Sequence, residues 1–81
     1  LKIVWDENKR RANLAKHGLD FADLTLEFFA LADVERAKLG RFVAVGDFRG
    51  RLVVAVIFRP LGVEAISIIS MRPASERERR R

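Results

Sequence analysis

The chain has 81 residues, a formal net charge of +5 at pH 7, 49% hydrophobic residues, six Phe, one Trp and no Cys; one small domain spanning 1–81, with enough apolar material for a core, is expected. Disulfides and thiolate metal sites are excluded, and a single His leaves no paired-histidine metal motif, so no metal or other cofactor is expected. No stretch is long and apolar enough for a membrane span and no signal-peptide pattern opens the chain, so the expectation is a cytoplasmic protein whose positive field attracts polyanions, nucleic acid first and an acidic protein surface second.

In chain order, Lys2 to Trp5 reads as a short strand rich in β-branched and aromatic side chains. Asp6 stands where a helix N-cap belongs and Glu7 adds negative charge to the first turn. The helix runs from about Glu7 to His17 and stops at Gly18, the usual C′ residue. Ala12, Ala15 and Leu19 form its expected buried line. Lys9, Asn13 and Lys16, with His17 one turn beyond Asn13, form a polar stripe on the opposite side. A second helix is expected from Asp20, with Asp23 as the acidic partner of a capping box and Phe21, Leu24, Phe28 and Leu31 on its core face. Residues 32–40 are mixed and charged, readable as a short strand or a loop.

The second half changes period. Arg41 to Phe48 and Arg51 to Arg59 read as strands joined by a turn at Arg49-Gly50; Pro60 to Gly62 turns the chain again, and Glu64 to Met71 forms a further strand. Connections this short give an antiparallel meander. Strict alternation puts Ile66, Ile68, Ser70 and Arg72 on one face of the last strand, and Ala65, Ser67, Ile69 and Met71 on the other. From Ala74 onward the tail is a short charged helix or a frayed end. The expected fold is α+β, two N-terminal helices packed on a twisted antiparallel sheet in the order β-α-α-β-β-β-α.

Basic residues cluster near the N-terminus (Lys9, Arg10, Arg11, Lys16, His17) and at the C-terminus (Arg72, Arg77, Arg79, Arg80, Arg81). Metal-free phosphodiester chemistry needs a group to move protons and a cation to neutralise the phosphorane. Imidazole suits the first task and the planar guanidinium fork suits the second. Each candidate also has a plainer reading: His17 completes a helix C-terminus, where positive charge is favoured, and Lys9 to Arg11 form a solvated helix face. Arg72 stands out, because it leaves a strand end just before Pro73.

Trp5–Leu24 (WDENKRRANLAKHGLDFADL) and Ile66–Arg80 (ISIISMRPASERERR), with the strands RFVAVG and GRLVVAVIF, together resemble the BrnT family of toxins from bacterial type II toxin–antitoxin pairs. The resemblance implies a RelE-like fold and a metal-independent endoribonuclease that blocks translation, with RNA, free or on the ribosome, as substrate. It also implies a BrnA-type antitoxin in a 2:2 complex that binds operator DNA through the antitoxin. By position, Lys16, His17 and Arg72 match the family's Lys-His-Gly element and late strand arginine, giving catalytic candidates. Lys9, Asn13, Glu78 and Arg79 match as RNA-binding candidates. Met71-Arg72-Pro73 departs from the commoner Ala-Arg-Arg. Two readings keep the fold and discard the chemistry: a non-catalytic RNA- or ribosome-binding module, and a co-repressor subunit of a DNA-binding complex.

Overall fold

Three apolar strands from the second half of the chain and two short ones from the first half build a five-stranded mixed sheet of order β1-β5-β4-β3-β2 in the computed structural model, which describes residues 1–80. The strands are β1 (Lys2–Trp5), β2 (Asp33–Arg36), β3 (Phe42–Phe48), β4 (Leu52–Leu61) and β5 (Ala65–Pro73). The helices are α1 (Glu7–His17), α2 (Leu26–Leu31) and α3 (Glu76–Arg79). Arg81 of the expected basic tail lies outside the described residues.

The first helix follows its signals. Asp6 accepts a hydrogen bond from the Lys9 amide at 3.0 Å, and Gly18, at φ 69°, returns its N–H to the Leu14 carbonyl at 2.8 Å. That positive φ is open to glycine without steric cost. Of its expected buried line only Leu19, beyond the helix end, is buried. Ala12 and Ala15 are exposed, and Asn13 is the one buried residue of α1.

The second helix begins later than expected. Asp20 accepts from the Ala22 amide and caps only a 3₁₀ turn, Phe21–Asp23. Thr25 then caps α2 through the Phe28 amide. Two short pieces in place of one helix still bury Phe21, Leu24 and Phe28, while Leu31 is 81% exposed. The mixed segment after α2 resolves into β2, which pairs antiparallel with β3 and adds a strand to the expected string.

The hairpin of β3 and β4 turns at Arg49 and Gly50, both at positive φ, as a tight hairpin turn requires. β4 continues through Pro60 to Leu61, so the expected Pro60–Gly62 turn falls later. Proline is tolerated there because β3 begins opposite Phe58, so residue 60 lies beyond the β3–β4 pairing and has an open edge on that side. β1 pairs parallel to β5, Lys2 opposite Ala65 through Trp5 opposite Ile68, so the sheet is mixed and not an antiparallel meander.

One face of the sheet carries the core. Ala44, Val54, Val56, Phe58, Ile66, Ile68 and Met71 pack against Leu19, Phe21, Leu24 and Phe28, with Trp5 edge-on to Phe21 at 6.4 Å. The expected alternation along β5 breaks at Ile69. Ile57 pairs with Ser70 but Phe58 with Ile68, leaving Ile69 as an extra residue. This bulge reverses the parity of the strand. Met71 joins Ile66 and Ile68 in the core, and Ser70 and Arg72 leave that face.

Candidate active site

The bulge and α1 together make a groove. β1 stops pairing opposite Ile68, and beyond that point α1 lies beside β5. The Asn13 side chain fills the strand's place, donating to the Met71 carbonyl at 2.8 Å and accepting from the Met71 amide at 3.1 Å. Its second N–H donates to the Leu19 carbonyl at 3.2 Å. Lys9, Ala12, Asn13, Lys16 and His17 of α1 and Ile69, Ser70 and Arg72 of β5 line an open groove of about 390 Å³. Lys9 and Lys16 are exposed, whereas His17 and Arg72 are half-buried.

Arg72 is fixed from behind. Its two terminal nitrogens donate to the two oxygens of Glu78 at 2.7 and 2.9 Å. Glu78 also accepts from the Ser75 amide at 2.8 Å, and the Ser75 hydroxyl accepts from the Glu78 amide at 3.1 Å, a complete capping box on α3. The Arg72 hydrogen bonds hold the Glu78 carboxyl well below its usual range, at about 2, against the opposing effect of burial. Arg72 is in turn held more firmly protonated, by the Glu78 hydrogen bonds first. Among the described residues the groove lining therefore carries Lys9, Lys16, Arg72 and an imidazole, and no carboxylate. Such a surface attracts phosphate oxygens and offers donors at fixed positions.

Of the expected site residues, the fold brings Lys9, Asn13, Lys16, His17 and Arg72 into this groove. Glu78 reaches it only through Arg72, and Arg79 is exposed on α3 without lining it. Asn13 is 7% exposed with its amide engaged on backbone groups, which leaves it little to offer a ligand. Arg10 leaves the expected basic cluster, because it is clamped between Glu7 at 2.6 Å and Asp20 at 3.1 Å. Sequence reasoning missed the Arg72–Glu78 pair; the Ser75-x-x-Glu78 capping-box spacing was its one local signal.

A larger cavity, about 510 Å³, lies between α2 and the β3–β4 turn. Asp23, Glu27 and Asp47 line it with Phe28, Phe48 and Arg49, so its charge is wrong for phosphate. Among the described residues there is no group of three or more metal-ligating side chains, and no helix is long and apolar enough to cross a membrane.

What these elements define is a small α+β domain with a cationic, imidazole-bearing groove between a helix and a strand edge. The family model described as the ribonuclease toxin, BrnT, of type II toxin–antitoxin systems matches residues 5–78. The chain also superposes on the 1.1 Å crystal structure of the Brucella abortus ribonuclease toxin BrnT with a TM-score of 0.90 and 58% identity, over 94% of this chain and 99% of that one. No curated protein sequence matches it. The chain belongs to the BrnT family of ribonuclease toxins of type II toxin–antitoxin systems.

Proposed function

We propose that this chain cleaves RNA in the groove between α1 and β5 without the help of a metal ion. The observation that carries this reading is the convergence of Lys9, Lys16, His17 and Arg72 on one groove. In the reaction the ribose 2′-OH attacks the adjacent phosphorus, its proton is removed, and the 5′-oxygen leaves with a proton. Arg72, clamped by Glu78, faces the charge that builds on the phosphorane oxygens, a task worth about 3–4 kcal/mol for one well-placed donor. His17 is the proton-transfer group, and Lys16 and Lys9 hold the flanking phosphates. Arg79 extends the positive field from α3, and Glu78 acts on Arg72 and not on RNA.

As a toxin of RelE-like descent, the chain stops growth by blocking translation in the cytoplasm. A cognate BrnA-type antitoxin neutralises it in a 2:2 complex, and that complex meets operator DNA through the antitoxin. Membership of a toxin–antitoxin family supports the partner, and the groove supports the substrate. The test is cleavage of total RNA by the purified chain in EDTA, beside Arg72→Ala and His17→Ala. Cleavage by the wild type in EDTA and its loss in the variants is the expected result. A folded wild type that binds RNA but leaves it intact, with ribosomes present, would replace this reading with a binding module.

A further inference from the structure

We propose that Asn13 is a positioning residue of the ribonuclease site, its side-chain amide locking the bulged register of β5 so that Arg72 stands in the groove. The inference rests on the groove being the cleavage site and adds to it a reason for the placement of Arg72.

The register is the central point. Strict alternation from Ile66 and Ile68 would carry Ser70 and Arg72 onto the core face and turn Met71 away from it. The extra residue Ile69 prevents this, and in the bulged register Ile69, Ser70 and Arg72 line the groove. Bulges re-aim side chains in this way, but a strand needs something to hold them in place. On one side β5 has β4. On the other, β1 supports it as far as Ile68. Asn13 takes over at Met71, the first core-facing residue after the bulge, engaging both of its backbone polar groups.

The helix that supplies this amide is the one that carries Lys9, Lys16 and His17. It buries no apolar side chain of its own, so Asn13 also sets where those three stand relative to Arg72. A carboxamide has two N–H donors and one acceptor oxygen. Here the donors reach Leu19 and Met71 and the oxygen accepts from Met71, so Asn13 acts on β5 and not on RNA.

The test uses the full chain as wild type, Asn13→Ala and Asn13→Asp. It measures single-turnover RNA cleavage, affinity for a non-cleavable 2′-deoxy analogue, hydrogen exchange at the Met71 amide and the Arg72 Nε–H resonance. Cleavage should fall about 100-fold, the effect of a misplacement near 1 Å. Affinity should change little, Met71 exchange should accelerate and the Arg72 resonance should move, while β3–β4 amides stay protected. Asn13→Asp keeps the shape and the acceptor but loses the donors, and it serves if the alanine variant does not fold. A folded variant with an unmoved Arg72 resonance would overturn the proposal. So would affinity falling in step with cleavage, which would make Asn13 an RNA contact. If the wild type itself does not cleave, the ribonuclease reading falls, and the Met71 and Arg72 signals still decide the positioning role.

Discussion

Glu78 holds both terminal nitrogens of Arg72, at 2.7 and 2.9 Å, and is itself locked by the capping box of α3. The bond between them ties the last helix to the last strand and fixes the guanidinium that, among the described residues, lines the groove. Removing either partner therefore has a different consequence. Arg72→Ala should lower RNA cleavage about 10²–10³-fold, the loss expected for a charge-stabilising donor. Arg72→Lys should not restore it, because a single ammonium cannot reproduce the fork. Glu78→Gln keeps the cation and loosens its tether. Arg72 is 37% exposed at its side chain, so solvent screening limits the stability loss to about 1 kcal/mol. Single-turnover rates and thermal midpoints on the three variants separate these effects, and a fully active Arg72→Ala would remove Arg72 from the reaction.

Acid should unfold the protein in a defined window. The Glu78 carboxyl has its pKa lowered from 4.5 to about 2, by the Arg72 hydrogen bonds first. Glu7 is lowered likewise to about 2, by Arg10 first. Asp20 is also lowered, by the Ala22 amide first, with Arg10 assisting. A folded value below the unfolded one means that the folded state binds fewer protons. The stabilisation is thus complete above the ordinary carboxylate range and is lost as pH falls toward the folded values, between about pH 5 and 2. Urea midpoints measured across that window should decline steadily, and less steeply in Glu78→Gln. Salt should weaken the share of half-exposed Glu7 more than that of Glu78. A flat midpoint down to the folded pKa would contradict the assignment of these ion pairs.

Local signals and long-range geometry explain what the sequence revealed and what it hid. α1 is bounded by chemistry within a few residues, an Asp6 cap and a Gly18 stop, and its polar stripe already placed Lys9, Asn13, Lys16 and His17 together. The β3–β4 hairpin announces itself through Arg49-Gly50. No local pattern, by contrast, marks the parallel pairing of β1 with β5, which joins Lys2 to Ala65 across most of the chain. The Ile69 bulge was equally hidden, because alternation read from Ile66 assigned Met71 and Arg72 to the opposite faces from those they occupy. Burial of Asn13 was missed because a polar residue on a polar stripe reads as solvated; its mid-helix position, where Asn is a poor helix former, was the one hint.

Gly46 offers a test of the packing on the core face of the sheet, where it stands opposite Val54. A Cβ built there would meet the Phe28 ring at 3.1 Å and the Ala32 Cβ at 3.3 Å. Alanine in place of a strand glycine ordinarily gains about 0.5–1 kcal/mol from the unfolded chain. Overpacking a filled core costs about 1–3 kcal/mol, and the Ala32 backbone lies too near to yield freely. Gly46→Ala should therefore destabilise the protein by about 1 kcal/mol, seen as a lower urea midpoint. RNA affinity should be unchanged, since neither Gly46 nor Phe28 lines the groove. A more stable Gly46→Ala would show that α2 can move away from the sheet.

The sharpest contrast lies between two neighbours in one basic run. Lys9 is exposed on the groove, while Arg10 is clamped between Glu7 and Asp20. Binding to single-stranded nucleic acid loses about 0.7 from its log–log salt slope for each phosphate contact removed. Lys9→Gln should lower the slope by that amount and weaken binding alike for different RNA sequences. Arg10→Gln removes the same formal charge but no groove cation, so its slope should match the wild type. Its cost should appear instead as a lower thermal midpoint, because the Glu7 and Asp20 carboxylates lose their shared partner. Titrations of a short RNA at several salt concentrations, with thermal melts of each variant, decide the matter. Equal slope losses in the two variants would mean that RNA senses only the overall field and that the groove does not define its path.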